Sequence, residues 1–156
     1  MANTYSQIYI QVVFTVSARK NLIKKEWKDE LNKYISGIIE GNGQKSIIVN
    51  GMPDHIHAFI GLKPSMAISN LVRDIKACST NFINDRNYIQ GKFSWQEGFG
   101  AFSYNHSQIE RVYNYILNQE LHHKNIKFRE EYLNLLHEHN ILHDKKYLFN
   151  WIEEHE

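Results

Sequence analysis

The sequence predicts an α+β fold, one antiparallel sheet with its helices packed mainly on one face. Three observations predict it. Segments rich in β-branched and aromatic residues take turns along the chain with segments whose apolar residues recur every three to four positions. Two strand-like segments are separated only by Gly51-Met52-Pro53-Asp54, which is a hairpin turn. No repeat, low-complexity stretch or Pro/Gly/Ser-rich linker divides the 156 residues, so one domain is expected.

The elements follow in order. Tyr5 to Val16 (YSQIYIQVVFTV) reads as a long strand. Lys24 to Glu40 places Trp27, Leu31, Tyr34, Ile35, Ile38 and Ile39 on one helical face, and Gly41-Asn42-Gly43 closes it. Ser46 to Asn50 and His55 to Leu62 form the hairpin. Ser65 is the expected N-cap of a helix running to about Asn84, with Ile68, Leu71, Val72, Ile75, Phe82 and Ile83 buried. Phe93-Ser94-Trp95 and Ala101 to Tyr104 flank a bend at Gly98-Phe99-Gly100 and read as a last strand or extended segment. Ser107 with Glu110 is the expected capping box of a helix reaching His123. A further helix runs from Phe128 to near Asn140, then an irregular piece and one more turn. This order fits the ferredoxin-like plan with a C-terminal helical extension.

Composition narrows the setting. With 42% hydrophobic and 22% charged residues, the chain can bury roughly two-thirds of its unfolded surface. A lone cysteine, Cys78, excludes an internal disulfide and points to a reducing, cytoplasmic compartment. No apolar run reaches the ~18 residues of a membrane span, and the N-terminus lacks a signal-peptide core. Eighteen basic against seventeen acidic residues leave +1, so no global basic signature marks a nucleic-acid binder.

Two constellations carry potential chemistry. Side chains alternate across a strand, so His55 and His57 share one face while Ile56, Ala58 and Ile60 form the buried stripe on the other. Uncompensated polar rings on a central strand need a partner, whether solvent, acid or metal, and the pair can supply two metal ligands. On the helix opened by Ser107, Tyr115 and Gln119 are four apart and His122 follows on the same side. Such a tyrosine is a nucleophile if a metal polarises the phosphate it attacks, and Gln119 can lend its carbonyl oxygen to that metal. The same spacing also suits a surface tyrosine. Tyr113 is assigned to the packing face with Ile109, Val112 and Ile116, and His122 to a solvated helix end.

The remaining features read as surface or core. His137, His139 and His143 lack a cysteine partner and a common face. Arg19-Lys20 and Lys24-Lys25 form one basic group, and Arg73 and Lys76 lie on a helix; Arg19, Lys20, Arg73 and Lys76 are the candidate phosphate contacts. Trp95 and Phe99 are candidates for base stacking, although core packing is the commoner fate of such residues.

Taken together, these motifs resemble the single-tyrosine transposases of the insertion-sequence 200-like family. Pro53-Asp54-His55-Ile56-His57 is similar to the family's His-hydrophobic-His strand. The stretch from Trp95 to Ser103 resembles its aromatic-glycine segment, and Tyr115-Ile116-Leu117-Asn118-Gln119 with His122-His123 its catalytic helix. Phe128-Arg129-Glu130-Glu131-Tyr132 resembles the tail that follows. The resemblance implies a domain over 1–127 with an extension over 128–156, and a homodimer acting on single-stranded DNA with hairpin ends. It implies His55, His57 and Gln119 as ligands of Mg²⁺ or Mn²⁺, and Tyr115 as the nucleophile that forms a 5′-phosphotyrosine. Two alternatives stand beside it. One is a replication-initiator-like nickase; the other is a domesticated or non-catalytic protein that binds single-stranded DNA hairpins.

Overall fold

The computed structural model of the chain describes residues 3–152. Four strands, β1 (Tyr9–Thr15), β2 (Lys45–Met52), β3 (His55–Gly61) and β4 (Gly100–Tyr104), form one antiparallel sheet in the order β2-β3-β1-β4. Helix α1 (Lys25–Gly41) joins β1 to β2, and α2 (Ile68–Asp85) joins β3 to β4. After β4 come α3 (Ile109–Leu117), α4 (Gln119–His122) and α5 (Phe128–Glu138). Among the described residues, no helix is long and apolar enough to cross a membrane. The last four positions of the expected extension, 153–156, lie outside the described residues.

The α+β class and the ferredoxin-like strand order are as expected from the sequence. Alternation along β1 and β3 divides the core into two layers. Val12 and Phe14 with Ile56, Ala58 and Ile60 face α1 and α2, where Leu31, Ile35, Leu71 and Ile75 are fully buried. On the opposite face, Val13 and Phe102 pack against Phe128, Tyr132, Leu135 and Leu136 of α5, and Phe59 against Val112 and Ile116 of α3. The two longest helices thus share one face, and the shorter helices after β4 cover the other. That second layer holds the polar residues of interest.

Boundaries differ from the sequence reading where local polar groups compete. Residues 5–8 precede β1 rather than belonging to it, and Trp95 makes a single bridge to Val16 instead of a strand. Neither expected serine caps its helix. Ala67 precedes α2 with no side-chain bond, and the reciprocal box ahead of α3 is Asn105 with Gln108 around a 3-10 turn. Ser107 Oγ instead donates to Asn105 Oδ1 at 2.5 Å. The single helix expected through His123 is divided at Asn118, whose Nδ2 donates to the Asn114 carbonyl. From β2, Asn50 Nδ2 donates to the carbonyls of Ile116 and Leu117 (2.9 and 3.2 Å), satisfying acceptors that the end of α3 leaves open.

The hairpin that presents the histidines is tight. Pro53 and Asp54 form its tip, with Met52 paired to His55. Val16 N–H donates to the Asp54 carbonyl at 3.0 Å, Ile23 N–H to that of Pro53 at 2.7 Å, and Thr15 Oγ1 also donates to Asp54. At Gly51 a Cβ would lie 2.1 Å from the His55 carbonyl oxygen, so any side chain there must displace the strand carrying the histidines. Gly37, in the middle of α1, faces open space. Gly51→Ala should therefore destabilise the fold by about 1–3 kcal/mol. Gly37→Ala should stabilise it by about 0.5–1 kcal/mol by relieving the entropy cost of a helical glycine. Urea titration of both variants beside the parent checks the two signs.

Candidate active site

Register fixes the first two groups. His55 pairs across the sheet with Thr15 and His57 with Val13, which places both imidazoles on the layer covered by the late helices. Neither is solvent-exposed, and their rings lie 5.1 Å apart. Each has its Nδ1 occupied by a neighbour. Asp54 Oδ1 lies 2.7 Å from His55 Nδ1, and Gln11 Nε2 lies 2.8 Å from His57 Nδ1. Tyr104 Oη in turn donates to Gln11 Oε1 at 2.8 Å. Both Nε2 atoms therefore point the same way, toward α5. A partner that fixes the far nitrogen is what orients an imidazole for ligation.

The group they point at is Glu131, which is 2% exposed and which the sequence reading left in the tail. Its Oε1 lies 3.1 Å from His57 Nε2, 3.1 Å from His123 Nε2 and 3.3 Å from His55 Nε2. Its Oε2 accepts from Gln119 Nε2 at 3.0 Å and from the Tyr115 hydroxyl. Gln119, fully buried, also places its Oε1 3.2 Å from His55 Nε2. The four residues singled out from sequence, His55, His57, Tyr115 and Gln119, are thus brought together, and Glu131 is the piece that joins them. Phe128, one turn earlier on α5, stacks on His55 with ring centroids 3.9 Å apart. His55, His57 and Glu131 form a buried group whose donor atoms lie within 4.8 Å of one another, with the residue types that can hold a metal ion.

Tyr115 reaches open space. It lines a cavity of about 200 Å³ together with Gln11, Tyr104, Arg111, His122 and Glu131. The His122 ring lies 4.3 Å from the Tyr115 ring, so this histidine packs on the tyrosine rather than standing free at a helix end. Tyr113 is not in the core as expected. It is 38% exposed and borders a groove with Leu117, Leu121 and Lys28, because Val112 and Ile116 alone fill the stripe of α3 that meets the sheet.

Other candidates lie elsewhere. Arg73 and Lys76 sit on α2, on the far side of the sheet from Tyr115; Lys76 Nζ donates to the carbonyls of Gln96 and Gly98 at 2.9 and 2.6 Å. Arg19 and Lys20 are exposed on the turn after β1. Trp95 packs edge-on against Phe14 and Phe93 and donates to Ser79 Oγ, a core role, and Phe99 packs against the same core. His139 packs on Phe102 and Tyr104 and meets the Leu135 carbonyl at 2.9 Å.

The electrostatics follow from burial and mutual charge. Burial alone would lower the His55 pKa, but the Asp54 charge and hydrogen bond, reinforced by Glu131, push it up to about 10. Burial holds His57 below its ordinary value against the pull of Glu131, with His55 and His123 adding to the depression. Burial would raise Glu131, yet His57 and the hydrogen bonds of the surrounding histidines hold it well below the usual carboxylate range. Burial, and then the Glu131 charge, push the Tyr115 hydroxyl above the ordinary tyrosine value, so it stays protonated.

These directions give a pH test. A histidine whose folded pKa stands above its unfolded 6.5 contributes stability that is complete below pH 6.5 and is lost as pH rises through about 10. His57 acts on the acid side only, since a depressed histidine costs stability as pH falls below 6.5. The urea midpoint of the metal-free protein should therefore fall between pH 6.5 and 10. Asp54→Asn should flatten that fall. An equally steep fall in the variant removes Asp54 as its cause.

Comparison with known proteins places this arrangement. The model of the family described as "Transposase IS200 like" matches residues 4–119. The ISDra2 transposase TnpA of Deinococcus radiodurans is 29% identical over 73 residues, a stretch covering 47% of this chain and about half (52%) of that relative. Two solved structures share the fold. One is a crystal structure of a candidate transposase from Deinococcus radiodurans R1, with a TM-score of 0.61 at 19% identity over 76% of this chain and 95% of the other. The second is a REP-associated tyrosine transposase bound to a REP hairpin, with a TM-score of 0.59 at 16% identity over 81% and 74%. A match over most of the chain that spans both the histidine strand and the tyrosine helix means that this protein belongs to the IS200-like transposase family.

Proposed function

We propose that the chain is a metal-dependent transposase that cleaves and rejoins single-stranded DNA through a 5′-phosphotyrosine on Tyr115. One observation carries the reading. The Tyr115 hydroxyl, open to a cavity, donates a hydrogen bond to a carboxylate that also touches both strand histidines. A nucleophile, a proton acceptor and a metal-ligand set meet at one carboxyl group.

The residues fit a divalent ion such as Mg²⁺ or Mn²⁺. His55 Nε2, His57 Nε2 and Glu131 Oε1 would hold it, with Gln119 Oε1 adjacent, and Asp54 and Gln11 orient the two rings from behind. For His57, ligation through Nε2 needs the proton on Nδ1, which a half-turn of the Gln11 amide accommodates. When bound, the ion supplies electrophilic activation of the scissile phosphate.

The protein's part is positioning and proton handling. Tyr115 Oη gives its proton to Glu131 Oε2 and bonds to phosphorus; the bond from phosphorus to the 3′ oxygen breaks, and that oxygen leaves as a hydroxyl after taking up a proton. The reverse attack by a 3′-hydroxyl restores Tyr115 and its proton, so strands rejoin without an external energy source. Arg111, four residues before Tyr115, lines the same cavity beside Glu138 (3.9 Å), and its part in this reading is to exchange that carboxylate for a DNA phosphate. Arg19, Lys20, Arg73 and Lys76 lie away from this cavity, and their part is contact with more distant phosphates of the strand. The hairpin held by the REP-associated relative supports folded single-stranded DNA as the substrate, and a homodimer completes the reading.

Tyr115→Phe keeps the ring against His122 and removes only the hydroxyl. With single-stranded DNA from the ends of the element and Mn²⁺, the parent should form a covalent protein–DNA adduct visible as a shifted band on a denaturing gel. The variant should lose the adduct and its cleavage rate by about a thousandfold or more. Undiminished cleavage by the variant would rule out Tyr115 as the nucleophile.

A further inference from the structure

A third imidazole completes the ring around Glu131. His123 follows Gln119 by one turn, its backbone N–H donating to the Gln119 carbonyl at 3.0 Å. Its side chain is only 5% exposed and its ring lies 4.9 Å from that of His55. Its Nε2 meets Glu131 Oε1 at 3.1 Å, the oxygen that His57 and His55 meet at 3.1 and 3.3 Å. Three ring nitrogens, two from β3 and one from the end of α4, therefore converge on a single carboxylate oxygen.

Hydrogen bonding alone does not satisfy that convergence. A carboxylate oxygen offers about two lone-pair directions, and three N–H donors exceed them. A divalent cation resolves the crowding, because neutral imidazole nitrogens and a carboxylate oxygen are all electron-pair donors to it.

We propose that His123 is a further ligand of the metal centre, so that His55, His57, His123 and Glu131 form a set of three imidazoles and one carboxylate that selects first-row transition ions over Mg²⁺. The inference rests on the metal reading above and deepens it by naming the class of ion. Mg²⁺ takes oxygen ligands and gives up water reluctantly, whereas a nitrogen-rich set follows the rising order from Mn²⁺ through Co²⁺ to later ions. Local spacing hid His123 among nine histidines, because its partner Glu131 is eight residues away on another helix.

Cobalt(II) tests this directly. The full chain, freed of metal and carrying no polyhistidine tag, is titrated with Co²⁺ and followed by visible absorption and proton NMR. The parent should bind Co²⁺ and show three solvent-exchangeable, paramagnetically shifted imidazole N–H resonances. His123→Gln should show two and bind Co²⁺ about tenfold or more weakly. A thousandfold excess of Mg²⁺ over Co²⁺ should leave the parent's spectrum unchanged.

Two N–H resonances in the parent overturn the ligand assignment without recourse to any variant, and displacement of Co²⁺ by equimolar Mg²⁺ overturns the selectivity. If His57→Ala loses binding while His123→Gln keeps the parent's affinity and spectrum, only the role of His123 fails. Absence of Co²⁺ binding by the parent overturns the metal centre itself.

Discussion

The arrangement of this protein's polar layer depends on one carboxylate. Glu131 is the point at which a strand, the tyrosine helix and the C-terminal helix meet, and each of its oxygens has a separate set of partners. Burying that charge costs several kcal/mol unless it is fully compensated. The compensation comes from groups that are themselves expensive to bury: three imidazoles, an amide and a phenol. Asp54 and Gln11 meet the far nitrogens of His55 and His57, and Glu131 meets the near ones. Mutual need therefore holds α5 on the sheet in register with His55 and His57, and apolar contacts of Phe128, Tyr132 and Leu135 with Val13 and Phe102 reinforce the seat.

This dependence explains why the two faces of the sheet differ in character. Toward α1 and α2 the central strands present aliphatic and aromatic groups, Val12, Phe14, Ile56, Ala58 and Ile60, and packing carries that layer. Toward α3 to α5 they present Gln11, Thr15, His55 and His57, all buried. A core with that much buried polarity is held for chemistry more than for stability. The tight hairpin tip and the Gly51 approach keep the histidines on a rigid strand, whereas Tyr115 sits at the edge of a cavity where a substrate can arrive.

Much of this was legible in the sequence because it is local. Period-two alternation put His55 and His57 on one face, and a separation of four kept Tyr115 beside Gln119 even though Asn118 interrupts the helix. Helix starts were misplaced where several polar residues competed to cap, as at Asn105 and Ser107. Tyr113 was misassigned because Val112 and Ile116 already filled the stripe of α3 that meets the sheet. Glu131 was missed for a different reason: it lies 74 residues from His57 in the chain, and no local spacing links them. A signal was nevertheless present. Phe128, Tyr132 and Leu135 define the buried stripe of α5, and Glu131 falls within it, four residues before Leu135. A carboxylate on an apolar helix face demands a cationic or metal partner, and the paired histidines were the evident one.

As proposed, Glu131 and the strand histidines together hold one metal ion beside Tyr115. Anomalous diffraction from crystals soaked in Mn²⁺, collected on either side of the manganese edge, tests it most directly. A single strong peak bounded by His55 Nε2, His57 Nε2 and Glu131 Oε1 is the predicted result. A peak elsewhere, with the Glu131 carboxylate still bonded to the histidines, would contradict the account.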